Sequence, residues 1–216
     1  QSLDRISVVL AGSNSSLLRT LHSEQRAPFY KQVTPVDVGA LPEEPFFAWV
    51  NKRLGEYGFK AMNKDVFDGL LDFTRAIPGD IQRILEVATA HLPSPSVIDG
   101  KRIEQAIDHL CEATKEAYLP TLRALTKNQV AILLYLAVRD RSRSQVPLTS
   151  HMSQQILRMP GGTIMSGIDA LARRGLIAHW RDRVFVDDPF FETILGRIHP
   201  GEVALMRSAM DTQFNT

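Results

Sequence analysis

The sequence predicts a mainly α protein with small α/β and β parts, and three observations carry that prediction. The first forty residues alternate apolar, β-branched runs with one short helical stretch. Residues 43–120 place their apolar side chains at helical spacing only. Residues 121–200 repeat that spacing three times and then change to two short β-like runs.

Ile6-Ser7-Val8-Val9-Leu10-Ala11 is nearly all apolar, the pattern of a strand covered on both faces. Ser15 to His22 reads as a short helix, and Gln32-Val33-Thr34-Pro35-Val36-Asp37-Val38 leads into or forms a second strand. A strand–helix–strand unit of this size is half of a parallel α/β sheet. Two strands make no stable sheet, so the remaining strands are expected from outside this chain. The first strand ends in Gly12-Ser13-Asn14, at the sheet edge where ligands bind in open α/β folds.

The middle segment predicts a small helical bundle. Phe46, Phe47, Val50 and Leu54 share one helical face, as do Val66, Leu70 and Leu71. Pro78-Gly79-Asp80 breaks the chain, with Asp80 as the expected cap of a helix that carries Ile81, Ile84, Leu85 and Ala88. After the loop Pro93-Ser94-Pro95-Ser96, a further helix is marked by Ile103, Ala106, Ile107, Leu110 and Cys111. Beyond it, Val130 to Ala137, Ile156-Leu157 and Ile164 to Leu171 stripe three helices. Leu176 to Trp180 and Val184 to Asp187 then form a tight hairpin around Arg181-Asp182-Arg183. Three helices and a hairpin is the layout of a winged helix-turn-helix. Asp188-Pro189 opens a last helix, with Asp as cap and Pro at the first helical position.

Composition narrows the function classes. No apolar run approaches the roughly 20 residues that span a bilayer, and no charged leader precedes an apolar stretch, so neither membrane nor export is expected. The single cysteine, Cys111, makes no internal disulfide and fits a cytoplasmic protein. Residues 1–120 hold 13 Lys and Arg against 16 Asp and Glu; residues 121–216 hold 12 against 8. That mildly basic second half is compatible with nucleic acid. The six histidines are scattered without metal-ligand spacing, so no metal site is expected. The chain opens on Gln1 rather than Met, from which we expect a piece of a longer protein.

The series "VVLAGSN", "RAPFY", "PGDIQ" and "GLI…DDPFF", in that order, resembles the C-terminal part of an AAA+ ATPase. It is most similar to the archaeal-type ATPases of the STAND group, which are related to initiator ATPases. The resemblance covers residues 5–200. It implies the last strands of a P-loop nucleotide-binding sheet over 1–40, a helical lid over 41–120, a winged helix over 121–200 and a C-terminal tail over 201–216.

It also implies roles. Ser13 and Asn14 match sensor 1, where an amide holds the attacking water or the γ-phosphate; the same residues also suit a plain turn and helix cap. Arg26 falls where an arginine finger is carried, or anchors its loop to a carboxylate. The sensor 2 pattern Gly-Asp-x-Arg departs here to Gly79-Asp80-Ile81-Gln82-Arg83. Gln82 can reach a phosphate or an adenine edge, whereas Arg83 is rotated by about 100° from the expected position.

The chain contains no G-x-x-x-x-G-K-S/T and no strand end of the Walker B kind before residue 6. ATP with Mg²⁺ is therefore expected in a longer parent and no cofactor in this chain alone. In the winged helix, Ser166, Arg173 and Arg174 on the third helix, with Arg181 and Arg183 in the wing, are the candidate DNA contacts. The functional expectation is the C-terminal portion of an ATP-driven molecular switch, its winged helix meeting DNA or a protein, with a possible homo-oligomer. The alternative is a non-enzymatic DNA-binding regulator that dimerises through its helical segment.

Overall fold

A computed structural model describes residues 8–12, 18, 20–23, 25–36, 38, 41–138, 148–180 and 183–198; for His179, Trp180 and Arg183 it describes the backbone alone. The chain divides into two compact units, 1–39 and 40–216.

In the first unit, Leu18 and Thr20 are helical, within the helix expected over 15–22. A turn follows, closed by Phe29 N–H to the Leu21 carbonyl at 3.0 Å and Gln32 N–H to the Phe29 carbonyl at 3.0 Å. The expected strands are not formed over the described residues: 8–12 and 32–36 belong to no sheet. Val8 and Val9 are 74% and 87% exposed. The reason is physical. A parallel strand is stable only with paired neighbours and covered faces, and the described residues supply neither.

The second unit begins with four helices. The first, α1 (Glu43–Glu56), buries Phe46, Val50 and Leu54 and carries two glutamates in its first turn, where they meet the positive end of the helix dipole. Next, α2 (Lys64–Thr74) is capped by Asn63 and buries Phe67, Leu70 and Thr74. In α3 (Pro78–Thr89), Pro78 takes the first helical position and Ile77 the cap, so Asp80 sits in the first turn rather than capping as expected. Its buried stripe is Ile81, Ile84 and Ala88. Asp99 caps α4 (Gly100–Arg123), its carboxylate accepting from Arg102 N–H at 2.9 Å.

Three more helices and a hairpin follow. Thr126 and Gln129 form a reciprocal capping box ahead of α5 (Lys127–Val138), at 3.0 and 3.3 Å. Ser150 caps α6 (His151–Leu157), and a turn through Arg158 leads to α7 (Gly161–Arg173). Strands β1 (Ile177–Trp180) and β2 (Arg183–Val186) pair antiparallel, with Trp180 opposite Arg183 and Ile177 opposite Val186. Asp188 then caps α8 (Pro189–Arg197). Among the described residues the protein is mainly helical, with this one two-stranded sheet.

Two cores result. One gathers α1–α3 and the first part of α4 around Phe67, Leu70, Ile84 and Leu110. The other gathers α5, α7 and the hairpin around Ile132, Leu133, Ile164, Leu171 and Val186. The division expected at residue 120 cuts through α4, which runs on to Arg123 and sends Leu122 into the second core. Helix α8 serves both: Phe190 and Ile194 enter the first, Phe191 and Leu195 the second.

Gly167 explains how closely α7 approaches α5. It is buried, and a Cβ there would lie 2.5 Å from Ile132 Cδ1. Gly167→Ala is therefore expected to destabilise by about 1–2 kcal/mol, overpacking outweighing the gain in helix propensity. Adding Ile132→Val removes the clashing methyl and should recover most of that loss in urea unfolding. A Gly167→Ala protein more stable than the parent would show that the helices are not packed this tightly.

Candidate functional site

The densest polar construction in the described residues lies where α8 meets both cores. Asp188 organises it. Its Oδ1 accepts from Phe190 N–H at 2.8 Å and Phe191 N–H at 3.1 Å, capping α8. Its Oδ2 accepts from the Tyr118 hydroxyl at 2.5 Å, which ties the cap to α4. The Tyr118 ring stacks on Phe191, centroids 4.6 Å apart.

Arg75 closes the opposite side. Arg75 and Ala76, the residues ending α2, both take left-handed backbone, φ 53° and 57°. Such a turn is costly for residues with a Cβ, and here it directs the arginine toward α8. Arg75 Nη1 donates to the Asp187 carbonyl at 2.9 Å, and Nη2 pairs with Glu192 Oε2 at 2.5 Å. The guanidinium also lies 4.6 Å from the centroid of the Phe185 ring. Glu192 is buried, so the ion pair is shielded from water. Arg83 covers the Phe190 ring at 5.2 Å.

This environment perturbs its ionisable groups. Burial pushes the Tyr118 hydroxyl well above its ordinary value, and the bond to Asp188 adds to the shift. Desolvation by the packed surroundings raises half-buried Asp80, and in the same direction the more exposed Asp187, above the ordinary carboxylate value. The charge of Asp188 adds to both; Arg83 and Arg75 work against the shift of Asp80, and Arg75 against that of Asp187. Cys111, whose thiol faces the Phe190 carbonyl at 3.9 Å, is raised by burial and is no activated nucleophile. These groups hold elements together; no nucleophile–base pair is formed by them.

Of the expected site residues, Ser13, Asn14 and Arg181 lie outside the described residues. Arg26 is exposed in the turn of the first unit. Gln82 donates to Glu86 at 2.9 Å on the outer face of α3, and Arg83 lies on Phe190 as described. On α7, Ser166 and Arg173 are exposed, whereas Arg174 donates to the Ala124 carbonyl at 2.9 Å and so closes the end of α4. Arg183 contributes its backbone to β2. Among the described residues no group of three His, Cys, Asp or Glu is arranged to hold a metal, and no helix is long and apolar enough to cross a membrane.

Arg75, Tyr118 and Glu192 were not singled out by the sequence. Only the Asp188-Pro189 cap signalled that the start of α8 is specified; its partners lie 70 and more residues away. On α6 and α7, Met152, Ile156 and Met165 are exposed, as are Arg158 and Arg173. No family model, no curated protein and no solved structure matches the chain.

Two predictions concern the α8 junction. Arg75→Ala should cost roughly 2–4 kcal/mol, because it takes the guanidinium from the buried Glu192 carboxylate and from the Asp187 carbonyl. The double change with Glu192→Gln should cost less than the two single losses combined, and strict additivity would show that the pair is not coupled. Asp80→Asn, at the start of α3, tests the pH dependence. A carboxyl raised in the folded state contributes stability below its ordinary value of 3.8, and loses it as pH rises through the raised value. The variant should therefore be more stable relative to the parent at pH 7 than at pH 3. The reverse order in thermal melts would refute the burial effect.

Proposed function

We propose that this chain is the C-terminal portion of an ATP-driven molecular switch of the AAA+/STAND kind, with residues 43–198 as the arm that the nucleotide state moves. The observation that carries the reading is the shared helix α8. A bundle in the lid's place in chain order and a three-helix-plus-hairpin unit in the winged helix's place are packed on one helix, with Asp188 and Arg75 fastening it. Displacement of such a bundle carries the following unit with it, which is what a nucleotide-driven output needs. The ordered motif series from Val8 to Phe191 supports the same assignment.

In this reading the phosphate grip and Mg²⁺ ligands come from a Walker segment of the parent protein. Ser13 and Asn14 serve as the γ-phosphate detector, and Arg26 is available as a finger. Gln82 and Arg83 carry little of the nucleotide binding, since one is bonded to Glu86 and the other lies on Phe190. The second reading is a DNA-binding regulator without ATPase activity, favoured by the exposure of Ser166 and Arg173 on α7. It predicts duplex binding that weakens steeply with salt.

The deciding experiment uses the parent protein that joins this chain to a Walker A segment. Asn14→Ala should lower ATP turnover by about 10²-fold while changing ATP affinity by less than roughly threefold, as expected for a group acting on the transition state. Unchanged turnover removes the detector role. A parent that binds no ATP removes the switch.

A further inference from the structure

We propose that the α2–α3 turn is a strap that seats the hairpin on the helical bundle, with Arg75 as its positioning residue. The inference rests on the output-arm reading for its purpose: it names the contact through which the bundle sets the direction of the hairpin. A two-stranded hairpin with strands of four residues is marginal in water and takes its stability from what packs against it. One face is accounted for. Ile177 and Val186, opposite each other in the register, are buried in the core around Ile132 and Leu133. Phe185 precedes Val186 on β2 and so belongs to the other face. There the Arg75 guanidinium lies 4.6 Å from the centroid of its ring.

Arg75 grips three parts of one construction. Besides the Phe185 ring of β2, Nη1 donates to the Asp187 carbonyl just past the strand, and Nη2 pairs with Glu192 of α8. Asp187 N–H in turn donates to the Leu176 carbonyl at 3.0 Å, the bond that closes the open end of the hairpin. The arginine therefore holds the residue that ends the ladder. A lysine carries a compact charge and cannot serve two acceptors and a ring in one plane. The backbone of the turn is made for this reach. Ala76 N–H donates to the Leu71 carbonyl at 2.9 Å and Ile77 N–H to the Thr74 carbonyl at 3.1 Å, with Arg75 and Ala76 both left-handed. Glycine would relieve that backbone at either position, but at position 75 it would delete the fork. What position 75 supplies is the side chain.

Amide hydrogen exchange on the whole chain without nucleotide tests the strap. Its failure leaves the ATP reading standing, and loss of the Asn14 effect leaves the strap standing. Arg75→Lys should speed exchange at Asp187 N–H and at the β1 and β2 amides at least roughly tenfold more than at the Ile84 and Leu133 amides, which report global opening. Phe185→Leu, which removes the ring under the guanidinium, should give a local excess in the same amides, and reads the same contact if the lysine variant does not fold. Ala76→Gly keeps the fork and eases the turn, so it should give none. Hairpin amides that change only in step with Ile84 and Leu133 overturn the proposal, because Arg75 is then a general stabiliser. An equal local excess from Ala76→Gly overturns it as well, because the turn alone would then hold the hairpin.

Discussion

The structure depends on one helix being shared by two hydrophobic cores. Nine residues, Pro189–Arg197, present two neighbouring apolar rows about 100° apart: Phe190 and Ile194 toward the bundle, Phe191 and Leu195 toward the three-helix unit. A helix with so wide an apolar face leaves only a narrow strip to water, so it is stable only while both cores are in place. Its start must then be fixed in angle as well as position. Asp188 does this by capping α8 with one oxygen and binding Tyr118 of α4 with the other. Arg75 adds a second restraint through Glu192, one turn further along α8.

What the sequence made legible follows from the range of each interaction. Amphipathic helices announce themselves through spacing within a dozen residues, and α1 to α7 contain the apolar positions read from Phe46 to Leu171. The Asp188-Pro189 start of α8 is equally local. The errors arose where local and tertiary signals compete. Asp80 has the chemistry of a cap, but Pro78 fixes the first turn two residues earlier and moves the start to Ile77. The division at residue 120 followed a change of pattern, whereas Pro120 is tolerated inside α4 and the helix continues to Arg123. The β-branched run around Val8 has strand propensity without a partner strand among the described residues, and propensity alone makes no ladder.

The site residues show the same limit from the side of charge. A surplus of four basic over acidic residues in the second half resembles a nucleic-acid footprint when counted along the chain. In the fold, Arg174 holds the end of α4 and Arg197 pairs with Asp108 at 2.5 Å. In the first half, Arg75 and Arg83 are likewise engaged, on Glu192 and on the Phe190 ring. A guanidinium bonded to a carbonyl or shielded by a ring contributes less to the field a partner meets than the formal count implies. On α6 and α7 the exposed charges of Arg158, Arg173 and Asp169 nearly balance.

That arrangement bears on how an output arm would operate. A switch needs an element with two arrangements, and a tightly packed core resists being that element. The bundle and the three-helix unit share α8 and the continuous α4, so separating them would break the Tyr118–Asp188 and Arg75–Glu192 bonds and open both cores at once. The opening of two cores is comparable with the stability of a whole domain and exceeds the few kcal/mol by which a ligand biases an equilibrium. Under the ATP-switch reading, the bundle and the three-helix unit therefore move as one piece.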